Sequence, residues 1–115
     1  MIGLKPVNYI PDRQDVVWIN FDPQAGREQA KRRPALVFSP KSYNRASGLC
    51  LVCPIRSCSK GWSFDVSVDF EEISGFIISD QLRSMDWQSR NIQYITTVPM
   101  YILEQARDNF LTLIE

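Results

Sequence analysis

A small antiparallel β-barrel followed by one C-terminal helix is the fold this sequence predicts, and three observations carry the prediction. Five or six short runs rich in β-branched and aromatic residues follow one another, bounded by Pro, Gly, Asn and Asp. Helical spacing of apolar residues appears once, in the last stretch of the chain. The 115 residues contain no repeat, linker or low-complexity segment, so a single domain over residues 1–115 with one modest core is expected.

Residues 1–14 read as an irregular lead-in, and residues 15–21, DVVWINF, as the first strand. Residues 22–33 form a long charged loop. Asp22, Pro23 and Gly26 break the chain there, and five of the seven residues from Arg27 to Arg33 are charged, with Glu28 the one acid among them. A loop of that length in a small domain points to function more than to connection. Pro34 opens a second strand, 35–39; residues 40–48 read as a loop closed by Gly48. A third strand, 49–53, is ended by Pro54, and a polar loop, 56–61, leads to an alternating strand, 62–68. An acidic bend is expected at 69–75 and a short buried strand at 76–78. Residues 80–90 read as polar and irregular, anchored by Trp87, and residues 91–95 as the last strand. Ile102, Leu103, Ala106, Phe110, Leu113 and Ile114 then recur at helical spacing, predicting an amphipathic helix over 99–114 packed on the sheet.

Composition narrows the function. The hydrophobic fraction is 44% and the formal net charge is zero, with a mean hydropathy of -0.20 and a pI of about 6.3. A polyanion would therefore be held by a local basic patch, not by a whole-molecule field. The N-terminus lacks a continuous apolar segment, with Pro6 and Pro11 interrupting it, and no run reaches membrane-spanning length. With three cysteines and no export signal, a cytoplasmic location is expected. The chain has no histidine, which removes a Ser-His-Asp triad, a Cys-His pair and any imidazole metal ligand.

Cys50-x-x-Cys53 resembles half a zinc site, but residues three apart on a strand face opposite ways and Cys58 is the only other thiol. Buried, inert cysteines are expected, with no metal and no cofactor. The loop cluster of Glu28, Lys31, Arg32 and Arg33 has the groups that phosphodiester chemistry needs. A carboxylate can take a proton from the attacking oxygen, and guanidinium forks can hold charge growing on phosphoryl oxygens. Such a cluster is equally the composition of a solvated loop bearing surface ion pairs. Arg56, Lys60 and Arg83 add positive charge in two other loops, near Tyr43, Phe64, Trp62 and Trp87. Basic groups interleaved with aromatics suit single-stranded nucleic acid, whose bases stack while its phosphates are neutralised. Phe64 and Trp87 are expected in the core.

Read together, these stretches resemble the MazF/PemK family of toxins from bacterial toxin–antitoxin pairs. The likeness is carried by Tyr9-x-Pro11-Asp12, Val17-Trp18-x-x-Phe21-Asp22-Pro23, and Gly26-x-Glu28-Gln29-x-x-x-Arg33-Pro34-Ala35. It continues through Ser39-Pro40-x-x-Tyr43-Asn44, Pro54-Ile55, Ser59-Lys60-Gly61 and Asp80-Gln81-x-Arg83-Ser84-x-Asp86-Trp87. The resemblance implies an SH3-like β-barrel, a symmetric homodimer, and a sequence-specific endoribonuclease that cuts single-stranded RNA without metal. It also implies a MazE-like antitoxin whose acidic tail occupies the RNA groove. By position it assigns Arg33 to stabilising the transition state, Glu28 to the role of base or orienting carboxylate, and Ser57 to a phosphate-donating hydroxyl. RNA contacts are implied at Lys31, Arg32, Asn44, Arg56, Lys60, Asp80, Gln81 and Arg83. Ile78, where PemK-type chains carry Arg, puts the sequence nearer the MazF branch.

One departure stands out. Family members carry Thr where this chain has Arg56, in Pro54-Ile55-Arg56-Ser57. Two outcomes follow: Arg56 adds a phosphate contact, or its bulk blocks the scissile phosphate and leaves a weakened RNA binder. A different class also shares the barrel, the CcdB-type toxins that poison DNA gyrase without cutting RNA.

Overall fold

The computed structural model describes residues 9–21, 32–59, 61 and 64–115. Its centre is a strand trio. β1 (Asp15–Asn20) pairs antiparallel with β2 (Arg32–Val37), and β2 with β3 (Leu49–Arg56). β4 (Asp65–Phe70) and β5 (Ile73–Ile78) form a hairpin. A 3-10 turn at Ser79–Gln81 leads to β6 (Arg83–Asp86), then β7 (Gln93–Thr97). The strand order is β4-β5-β3-β2-β1-β7, with β6 also pairing β3. β3 thus serves two ladders: Leu49–Val52 face β6, and Ile55 and Arg56 face β5. The result is a curled antiparallel half-barrel with a C-terminal helix, as the strand pattern predicts.

β1 to β3 read as continuous apolar runs because both of their faces are buried. On one face, Val16, Leu36, Cys53 and Ile55 pack with Val66, Val68, Ile73 and Ile77. The C-terminal helix, α2 (Met100–Leu111), closes that layer with Ile102, Leu103 and Ala106. On the other face, Val17, Ile19, Phe21, Ala35, Val37, Cys50 and Val52 pack with Met85 and Trp87. Cys50 and Cys53 therefore do lie on opposite faces, as strand alternation requires. Burial pushes both thiols up to about 12, helped by the charges of Asp86 and Asp80 respectively. Cys58 departs from the expectation of burial, being exposed.

The lead-in is tied down at Asp15. Its carboxylate accepts from the Tyr9 hydroxyl at 2.6 Å, the Asp12 amide at 3.0 Å and the Thr97 hydroxyl at 2.9 Å. Burial and that carboxylate both raise the Tyr9 pKa, so Tyr9 stays a donor.

Five readings of the sequence change. Residues 40–48 are not a loop: Lys41–Ser47 is a helix, α1, between an extended Pro40 and a left-handed Gly48 (φ 75°). β3 runs through Pro54 to Arg56, and the acidic bend shrinks to Glu71-Glu72, with Glu71 at φ 52°. Thr96 Oγ1 donates to Glu71 Oε1 at 2.8 Å and holds that turn. β6 forms inside the stretch read as irregular, because its pattern RSMD has one buried residue, Met85, and its order comes from pairing with β3. Finally, α2 stops at Leu111, and Leu113 and Ile114 are exposed instead of packed.

Candidate nucleic-acid interface

The ends of β2 and β3 meet at one rim of the sheet, and the basic residues gather there. Direct cross-strand partners share a face. Arg33 pairs with Ile19, and Arg83 pairs with Val52. Arg56 lies two residues beyond Pro54, whose partner is Ala35, and Arg33 lies two residues beyond Ala35 on the other strand. Ile19, Ala35 and Val52 belong to the same core cluster. By strand alternation Arg33, Arg56 and Arg83 thus fall on the face of that cluster, at its edge.

Packing supports the placement. Arg83 lies over the Phe21 ring, 5.4 Å from guanidinium carbon to centroid. Arg33 and Arg56 are both half-buried, and Arg56 Nε is shielded from solvent with no hydrogen-bond partner among the described residues. Among those residues the one ion pair is Arg107 with Asp108 on α2, so none of the three rim arginines is neutralised by a described carboxylate. A face on which several guanidiniums have no described carboxylate partner is a candidate seat for phosphate oxygens.

Arg32 takes the opposite face of β2. It lies 6.0 Å from the Trp18 ring centroid, and its Nη2 donates to Gln93 Oε1 at 2.7 Å. Trp18 is 38% exposed, an aromatic surface held beside a cation. Neither Trp18 nor Gln93 is singled out by the sequence. A tryptophan in an apolar strand reads as core, and its neighbours lie on two other strands.

Asp80 is exposed and Gln81 half-buried in the 3-10 turn, where the Cys53 thiol reaches Ser79 O at 3.8 Å. Ser57 is exposed just past β3, beside Cys58. Glu28, Lys31 and Lys60 lie outside the described residues. Among those described, no three Cys, Asp or Glu side chains converge as a metal-ligand set.

Asn44 must be removed from the list of RNA contacts. It is fully buried; its Nδ2 donates to Pro11 O at 2.8 Å and to Ser39 O at 3.0 Å, and its Oδ1 accepts from Ser39 Oγ at 2.6 Å. Its backbone carbonyl accepts from Trp87 Nε1 at 3.0 Å. Asn44 is a peg that fastens α1 to the lead-in, and its carbonyl also holds Trp87, the residue expected to anchor 80–90.

A curled half-barrel with a helix on one layer and an arginine rim on the other defines a small β protein with a candidate anion-binding face. The profile of PemK-like, MazF-like toxins of type II toxin-antitoxin systems matches residues 12–114, and the chain belongs to that family. The endoribonuclease toxin MazF of Escherichia coli K12 is 44% identical over 82 residues, covering 71% of this chain and 74% of that protein. Endoribonuclease PemK of Escherichia coli is 30% identical over 108 residues, covering 90% of this chain and 81% of the relative. The crystal structure of MazF from Deinococcus radiodurans superposes with a TM-score of 0.84 at 42% identity, covering 93% of this chain and 98% of that one. A MazE-MazF crystal structure from the same organism gives 0.81 at 37% identity, with coverage of 93% and 98%.

Proposed function

We propose that this chain is the toxin of a type II toxin–antitoxin pair and acts as a sequence-specific, metal-independent endoribonuclease on single-stranded RNA. The observation that carries the reading is the rim on which Arg33, Arg56 and Arg83 share one face without a described carboxylate partner. The relatives named endoribonuclease support the reaction class.

In this reading the ribose 2′-oxygen attacks the adjacent phosphorus. Its proton passes to a base, for which Glu28 is the candidate. The bond from phosphorus to the 5′-oxygen breaks, and that oxygen takes up a proton. The products are a 2′,3′-cyclic phosphate and a 5′-hydroxyl. Negative charge grows on the non-bridging oxygens, and Arg33 is the donor assigned to them. The Ser57 hydroxyl is the further donor, and Lys31, Arg32, Lys60, Asp80, Gln81 and Arg83 are the candidate contacts to the RNA. Trp18, exposed beside Arg32, offers a surface for a base.

The same rim suits an acidic antitoxin tail, since two polyanions would compete for one set of arginines. The solved MazE–MazF complexes of relatives support a MazE-like partner. A homodimer in the cytoplasm completes the reading. The test is incubation of purified protein with a long mixed-sequence RNA in EDTA. Discrete cuts whose new 5′ ends accept phosphate from a kinase without prior phosphatase are expected. Uncut RNA would count against the reaction, and gyrase inhibition in its place would favour the CcdB-type class.

A further inference from the structure

Arg56 is held by backbone constraints more tightly than a surface arginine needs. It closes β3, where Arg56 pairs with Phe76 and Ile55 with Ile77 on β5. Behind it stands Gly75, at which an added Cβ would lie 2.4 Å from the Arg56 carbonyl oxygen and 3.2 Å from its carbonyl carbon. β5 can approach β3 this closely only because position 75 has no side chain. The side chain emerging from that fixed point is half-buried, and its Nε is screened from water without a hydrogen-bond partner among the described residues.

Arg33 faces the same way from the adjoining strand. The β2–β3 ladder ends at Ala35 and Pro54, and each arginine sits two residues further along its strand. No described carboxylate pairs with either. Two like charges presented from neighbouring strands repel until an anion bridges them, and a tetrahedral phosphate has enough oxygens to accept from both forks.

We propose that Arg33 and Arg56 form one seat for a single phosphate group, so that Arg56 is a second guanidinium on the phosphate and not an obstruction to it. The seat is a property of the two strands and takes inorganic phosphate as well as a phosphodiester. Its occupation by RNA rests on the nuclease reading above.

The experiment has two arms. In the first, thermal melts are recorded in sodium phosphate and in chloride of matched ionic strength, for wild type, Arg33→Ala, Arg56→Ala and the double variant. Wild type is expected to rise by roughly 5 °C at ten times the phosphate Kd. Each single variant loses most of that rise, and the double loses no more than either single, because the residues share one ligand. In the second arm, binding of 2′-O-methyl RNA, which lacks the nucleophile, is followed against salt. Arg56→Ala should bind about tenfold more weakly, with the log–log salt slope reduced by about 0.7. Arg56→Lys should keep the slope and recover part of the affinity.

An unchanged phosphate response in Arg56→Ala overturns the seat, as do additive losses in the two single variants. An Arg56→Thr variant that cuts RNA faster than wild type overturns it too, since Arg56 would then be an obstruction. If phosphate protection depends on Arg56 while wild type neither binds nor cuts RNA, the nuclease reading fails and the seat stands. If RNA is cut and Arg56→Ala binds and cuts normally, the seat fails and the reading stands.

Discussion

Replacing Asn44 with Ala separates a structural peg from an RNA contact. The substitution strips the acceptor from Ser39 Oγ and the donors from Pro11 O and Ser39 O, in a site with no solvent access. Ser39 Oγ still accepts from the Leu51 amide at 2.9 Å, so its hydroxyl proton is what loses its place. A buried polar group left unpaired costs about 1–3 kcal/mol, with carbonyls at the low end, so these groups sum to roughly 3–5 kcal/mol. Total stabilities of about 5–15 kcal/mol make that a large fraction. Urea unfolding followed by tryptophan fluorescence should show a midpoint lower by about 2 M at unchanged m, taking m as about 2 kcal/mol per M. RNA affinity of the still-folded variant, measured at low temperature, should stay within about twofold. A stability loss below about 1 kcal/mol, or a loss of RNA binding at wild-type stability, would refute the peg and return Asn44 to the interface.

Gly75→Ala should lower stability by about 2 kcal/mol, or roughly 8 °C in Tm, because its Cβ must displace the Arg56 carbonyl; an unchanged melt would mean that β5 moves freely away from β3. Thiol labelling of the native protein at pH 8 should modify Cys58 and spare Cys50 and Cys53, since both buried thiols titrate near 12; rapid labelling of three thiols would contradict their burial. Those raised thiols also set an alkaline limit. Below pH 9 both states hold the proton and nothing is lost, whereas from about 9 to 12 the unfolded thiol ionises first and stability falls. The slope reaches about 1.4 kcal/mol per pH unit for each thiol. Cys50→Ala should remove one thiol's share, while the raised Tyr9 keeps a loss of the same sign above about pH 10.

How much of this was legible in the sequence depended on whether the ordering information was local. β1 and β2 carry their own apolar runs and α2 its own helical periodicity, so their existence and type follow from the chain itself. α1 and β6 do not. α1 is seven residues of polar sequence whose one buried side chain, Asn44, is fixed by Pro11 thirty-three positions away. β6 takes its order from β3. The same distinction governs the site. Arg33 stands out because a charged loop runs into an apolar strand. The shared face of Arg33, Arg56 and Arg83 emerges only from the registers of three ladders. Asn44 came forward as an RNA contact from the resemblance, and nothing in its polar stretch shows the burial that the fold gives it. Trp18 was not among the expected contacts, and its exposure beside Arg32 follows from the pairing of β1 with β2.

The most direct test of the central claim, that the arginine rim performs RNA cleavage, is a single-turnover comparison of wild type with Arg33→Ala on the same RNA in EDTA. Removing one donor from a transition-state site typically costs about 10²–10³ in rate. Arg33→Ala should show a loss of that size with a wild-type melt. Cleavage within a few-fold of wild type by a folded Arg33→Ala protein would place the chemistry elsewhere.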